Sequence, residues 1–179
     1  RVYSAASNTA VGTQSLSNIS SGDYNTAIGT NALLSNTSGI DNTATGWKSL
    51  YTNTTGSFNT ASGSAALFSN TSGSRNTAVG YASLYNNTTG GQNTATGTLA
   101  LYYNTTGNFN TAIGYNTGFN LTTGGNNTLI GFDAQPSTST INNEITLGNS
   151  SVTTLRCNAT TITALSDRRD KTDIIPIVE

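Results

Sequence analysis

Apolar and polar positions along this chain recur at long range more clearly than they alternate locally. The triplet Asn-Thr-Ala begins at Asn8, Asn25, Asn42, Asn59, Asn76, Asn93 and Asn110, with Asn-Thr-Leu at Asn127, and every interval is 17 residues. A leucine keeps the same period at Leu16, Leu33, Leu50, Leu67, Leu84 and Leu101. The next position holds Leu34, Tyr51, Phe68, Tyr85, Tyr102 and Phe119. Two glycine series, Gly12 to Gly131 and Gly22 to Gly124, share the period, and no insertion or deletion breaks it over eight coils.

The period decides the architecture. It is too short for a helix–turn–helix repeat of about 34 residues. Thr, Val, Ile and aromatic residues favour strands, whereas Gly and Asn are poor helix formers. Asn-Thr-Ala-Ile-Gly and Ala-Leu-aromatic each suit a short strand, and Asn-Thr-Thr-Gly suits a turn, predicting two strands and two turns per coil. One such coil cannot bury its apolar side alone and must stack on its neighbours. The expected fold is all-β, a parallel β-solenoid or β-roll of 17-residue coils. At about 4.8 Å per strand, eight coils make a rod roughly 40 Å long.

Stacking turns each recurrent position into a ladder. The leucines and the series Ala10, Ala27, Ala44, Ala61, Ala78, Ala95 and Ala112 are assigned to the coil interior, because a coil this small holds one large side chain. Thr9 to Thr128 form a threonine ladder. Asn36, Asn53, Asn70, Asn87 and Asn104 are expected to stack their amides at the turn. Strand alternation places Tyr102 opposite Leu101, so the aromatics point outward. A stripe of that length exceeds the few hundred Å² of apolar patch that a monomer usually exposes. It is read either as an oligomer interface through Tyr51, Phe68, Tyr85, Tyr102 and Phe119, or as an exposed ligand-binding stripe.

Composition narrows the chemistry. Only 34% of residues are hydrophobic and 8% charged, against roughly 45–50% and about 25% in ordinary domains. The net charge of −1 is too small to enforce disorder by self-repulsion. Phosphate binding needs clustered Lys/Arg, and the coils contain just Lys48 and Arg75, which argues against nucleic acid as a partner. With no histidine and the single Cys157, a His-containing triad, a Cys/His zinc cluster and an intrachain disulfide are impossible within one chain. No cofactor and no metal are expected, since the Asp/Asn-rich turns lack clustered carboxylates. No apolar run is long enough to insert into a membrane. Beginning at Arg1 without a signal-peptide pattern, the chain reads as a piece of something longer. Asn36, Asn53, Asn70, Asn87 and Asn104 fit the glycosylation acceptor pattern, but the repeat itself accounts for their recurrence.

The repeat decays after Phe132. Residues 1–134 are expected to form the solenoid shaft. Residues 135–165 form a degenerate coil, containing Glu144 to Gly148 in phase, and a short-strand connector. Residues 166–179 begin another module: they carry seven charges, whereas the preceding 165 residues carry eight. Two family resemblances follow. The Asn-Thr-Ala-x-Gly coils resemble the β-roll of trimeric autotransporter adhesin heads, of the YadA type, whose coils are usually shorter. The segment from Ser166 through Asp167, Arg169 and Lys171 to Ile174 resembles the start of the endosialidase-type intramolecular chaperone that ends many bacteriophage tail fibres and tailspikes. That resemblance covers the start of the domain only. It implies a homotrimeric fibre and self-cleavage between Ser166 and Asp167. Ser166 and Lys171 make chemical sense as nucleophile and base, since a desolvated lysine can deprotonate a hydroxyl. The alternative is that Ser166 caps a helix beginning at Asp167.

Three functions remain on this reading. The first is a structural or receptor-binding segment of a phage-type tail fibre or appendage, with chaperone-assisted assembly and no metabolic enzymatic activity. Its partners are two further copies of itself and a host cell-surface receptor such as a glycan; its place is the virion tail or a cell-surface appendage. The second is a bacterial adhesin head. The third, suggested by the threonine ladder, is an ice-binding solenoid, although the second outward strand position is mixed: Val11, Ile28, Thr45, Ser62, Val79, Thr96, Ile113 and Ile130.

Overall fold

The structure, a computed structural model, describes residues 2–3 and 7–154. Among these residues ten strands form one sheet in chain order: β1 (Val2–Tyr3), β2 (Thr9–Val11), β3 (Thr26–Ile28), β4 (Thr43–Thr45), β5 (Thr60–Ser62), β6 (Thr77–Val79), β7 (Thr94–Thr96), β8 (Thr111–Ile113), β9 (Thr128–Ile130) and β10 (Ile145–Leu147). The first lies antiparallel on the second. From β2 onward every pairing is parallel and joins residues 17 apart, as in Thr43↔Thr60 and Ala44↔Ala61. The chain is therefore an all-β parallel solenoid with a 17-residue coil, and no helix occurs among the described residues. The expected degenerate ninth coil is present as β10, paired in phase with β9.

The interior is as narrow as the period implies. Leu33, Leu50, Leu67, Leu84 and Leu101 are fully buried, as are the strand alanines from Ala10 to Ala112. From β2 to β9 the middle residue of each strand is buried and its two neighbours face out. Gly63 at the end of β5 shows why glycine recurs there. Its φ is +144°, and a Cβ would collide with the carbonyl oxygen of Gly80 in the next coil.

The second strand expected in each coil does not form. Lys48 and Leu50 have φ of 53° and 50°, and Ala82 and Leu84 have 51° and 50°, where a parallel strand needs about −120°. Left-handed residues curl the chain tightly enough to close a circuit within one period. Bonding between coils persists without extended backbone: Leu50 N–H donates to Ala66 O at 3.0 Å and Thr52 N–H to Phe68 O at 3.1 Å. A left-handed leucine costs roughly 1–2 kcal/mol, which its full burial, about 1.5–3 kcal/mol, offsets.

Candidate functional site

Two amide ladders hold the coil closed. The asparagine that opens each strand turns its side chain inward, and Asn25, Asn42 and Asn59 are all fully buried. Asn59 Nδ2 donates to Gly73 O at 2.9 Å within its coil, while its Oδ1 accepts Asn76 N–H at 3.0 Å from the next coil. The turn asparagines run parallel to it. Asn70 Nδ2 donates to Asn53 Oδ1 at 2.7 Å and also to Gly73 O at 2.9 Å. The carbonyls of Gly39, Gly56, Gly73, Gly90 and Gly107 thus each receive two side-chain amides, and these contacts consolidate the expected turn ladder. The opening-asparagine ladder was not anticipated; the invariance of that residue at one phase was its only signal. The turn amides of the acceptor-pattern asparagines are buried donors, so an attached glycan is incompatible with the folded coil.

The outer surface offers three adjacent features. The strand face presents the threonine row beside Val11, Ile28, Val79, Ile113 and Ile130, each 39–44% exposed. Residues just before the strands form one margin, where Tyr24, Phe58 and Phe109 are exposed. Residues just after the strand-ending glycines form the other, where Trp47, Tyr81, Tyr115 and Phe132 are exposed. Thr and mixed apolar side chains share the face, so no uniform double-threonine array exists.

Beyond the second margin lies the aromatic ladder. Tyr51, Phe68, Tyr85 and Tyr102 stack with centroids 5.1, 4.9 and 5.1 Å apart and planes within 12° of parallel, and Phe119 continues the stack at 5.3 Å. These rings are half-buried rather than fully outward. Their faces cover one another and their edges meet solvent, which leaves a ligand few ring faces to stack on. Burial, with the neighbouring phenols Tyr85, Tyr103 and Tyr81, holds the Tyr102 hydroxyl above the usual tyrosine range. Lys48 Nζ lies 4.6 Å from the Trp47 ring and 5.2 Å from the Tyr51 ring, tying margin and stack into one corner.

The last coils depart from the pattern in a compensated way. Gly118 stands where the core leucine is expected, and the neighbouring Leu121 and Leu129 are fully buried. Leu121 also replaces a turn asparagine, leaving the buried Asn104 Oδ1 without a hydrogen-bond partner. Glu144 replaces the opening asparagine of the ninth coil. Its carboxylate accepts hydrogen bonds from the hydroxyl and the backbone N–H of Ser137 and from Thr146 Oγ1. The Ser137 hydroxyl is the main reason its carboxyl sits below the ordinary range.

Ser166, Asp167, Lys171 and Cys157 lie outside the described residues. Among the described residues, no cluster of three or more His, Cys, Asp or Glu side chains could hold a metal ion, and no helix is long and apolar enough to cross a membrane. No family model matches the chain, and no curated protein or solved structure matches it.

Proposed function

We propose that this chain is a rigid segment of a trimeric fibre, of the phage tail-fibre kind, that works through its lateral surface. One observation carries the reading: exposed apolar residues, interspersed with polar ones, recur along the coils on the strand face and at both its margins. Eight stacked coils extend such rows beyond what a monomer normally leaves in water. Neighbouring copies would cover them, and a host receptor would meet what remains outside. The aromatic stack from Tyr51 to Phe119 then borders the contact between copies. The mass of the native assembly tests this: three chains are expected, and a stable monomer overturns it.

The resemblance around Ser166 favours a phage-type fibre over an adhesin head, and supports reading the assembly as part of a virion tail or a comparable appendage. With the C-terminal module present in full, cleavage between Ser166 and Asp167 is expected after trimerisation. It would leave the trimer kinetically trapped, because the assembly aid is gone. Ser166→Ala and Lys171→Ala should each abolish the cut while leaving trimers intact, read by denaturing electrophoresis and intact mass. An uncut wild-type chain in a folded trimer would make Ser166 a cap at a junction.

A further inference from the structure

The margin before the strands changes character toward the later coils. Its earlier levels mix rings with charges: Tyr24, Asp41, Phe58 and Arg75 follow one another at intervals of 17 residues, and the Arg75 guanidinium lies 5.5 Å over the Phe58 ring. Its later levels are Gln92, Phe109, Asn126 and Asn143, one ring among neutral amides. Phe109 is 56% exposed. Among the described residues no other ring and no cation covers it.

Beside Phe109 the surface opens into a cleft of about 440 Å³, and Gly125 lines it where a side chain stands in other coils. At the equivalent position Ser57 and Ser74 fill the space and accept the backbone N–H of the coil before. Gly125 leaves that space empty, and Asn142 of the next coil reaches back over it, its Oδ1 accepting Gly125 N–H at 2.7 Å. The same step occurs two coils earlier, where Asn108 reaches over Gly91. There the amide is used up, because Asn108 Nδ2 donates to Thr106 O at 2.9 Å. Asn142 Nδ2 has no such partner among the described residues. Asn126 Nδ2 donates to Asn143 Oδ1 at 2.8 Å, which orients both amides and leaves Asn126 Oδ1 and Asn143 Nδ2 for something else. The cleft therefore gathers two oriented donors, an acceptor and the Thr123 hydroxyl beside an uncovered ring, and none of its lining residues is charged.

Each feature selects a ligand property. The π face of Phe109 takes an apolar face whose C–H bonds point at it. Donors and an acceptor side by side suit neighbouring hydroxyls, each of which both donates and accepts. Without a charged lining, an ionised ligand finds nothing to offset its dehydration. The volume lies in the lower part of the range for small-ligand sites, about 300–1,000 Å³. A pyranose ring has the apolar C–H face, the neighbouring hydroxyls and the size. We infer that the cleft beside Phe109 binds a neutral pyranose unit of a glycan, stacked on the ring and held through its hydroxyls by Asn126, Asn142 and Asn143. The inference rests on the reading of the chain as a fibre that meets a receptor laterally, and gives that contact a place and a chemical class. Amides gain little from a dry contact between copies, so this polar stretch of the margin suits a ligand better than a neighbouring chain.

Titration of the assembled, isotope-labelled protein with the methyl glycosides of glucose, galactose, mannose and N-acetylglucosamine tests it, with N-acetylneuraminic acid as the charged comparison. At least one neutral glycoside should shift the side-chain amide signals of Asn126, Asn142 and Asn143 and receive saturation from the Phe109 ring; the acidic sugar should do neither. Phe109→Ala and Asn142→Ala should each raise the dissociation constant roughly 3- to 10-fold, with the fold retained by circular dichroism. Phe58→Ala, which removes a ring already covered by Arg75, should leave it unaltered. The cleft is overturned if no neutral glycoside shifts these signals, if the acidic sugar binds as well, or if Phe58→Ala weakens binding equally. Native mass of the same samples reports assembly separately. Three chains without sugar binding remove the cleft and leave the fibre, whereas a monomer that binds the sugar removes the trimer and leaves the cleft.

Discussion

At the scale of the residue, the two asparagines of each coil do different work although both are buried amides. Asn59 Oδ1 accepts a backbone N–H and a side-chain amide from Asn76, at 3.0 and 3.2 Å. Asn53 Oδ1 accepts only a side-chain amide, from Asn70, which keeps a second acceptor in Gly73 O. Removing the first therefore orphans a buried peptide group. Asn59→Ala should destabilise the rod by about 2–4 kcal/mol and Asn53→Ala by about 1–2 kcal/mol, measured as the shift in denaturation midpoint at constant slope. Glu144 gives a residue-scale pH effect. Its carboxyl is held low by Ser137, so its contribution to the ninth coil is present above the ordinary carboxylate pKa and is lost as pH falls through the lowered value. Protection of the β10 amides against hydrogen exchange should fall on acidification below pH of about 4. In Glu144→Gln that protection should be weaker at neutral pH and less dependent on pH.

At the scale of the coil, the aberrant 110–126 turn is a swap, not a defect. Gly118 has φ of +64°, and a Cβ there would lie 2.9 Å from Leu101 Cδ2 and 3.2 Å from Leu129 Cδ1. The leucine missing at this position is replaced by Leu129 from the strand above and by Leu121 from the turn. Restoring the consensus one residue at a time should fail: Gly118→Leu overpacks, while Leu121→Asn and Leu129→Ala open cavities worth about 2–5 kcal/mol each. The triple variant Gly118→Leu, Leu121→Asn, Leu129→Ala should recover most of that loss, because it rebuilds the packing of the other coils and gives Asn104 Oδ1 its missing donor. Thermal melts of the three single variants and the triple variant check this. Additive losses would refute the compensation.

At the scale of the whole rod, each coil touches only the coils above and below it, so stability is a sum of coil and nearest-neighbour terms. Excising residues 59–75, one full period, joins Phe58 to Asn76 and keeps every ladder in phase. Excising eight residues from the same place puts leucines in the slots of the strand-opening asparagines in every later coil. The first chain should fold to a shorter rod with near-native circular dichroism and a modestly lower midpoint; the second should lose its cooperative transition.

Much of this architecture was legible along the chain because a stacked coil imposes the same environment on every equivalent residue. The 17-residue spacing, the inward leucines and alanines, the turn amide ladder and the ninth coil at Glu144 all follow from repetition at one phase. The left-handed leucines were not legible. Leucine has no local preference for that conformation, and the full circuit of the coil, closed by bonds such as Leu50 N–H to Ala66 O, imposes it. For the same reason the aromatic stripe was read as fully outward, whereas the curled backbone lays each ring on the one below. What the sequence determined alone was the period and which side chains lie inside; the path of the backbone between the strands, and therefore the surface left for a partner, came from closing the coil.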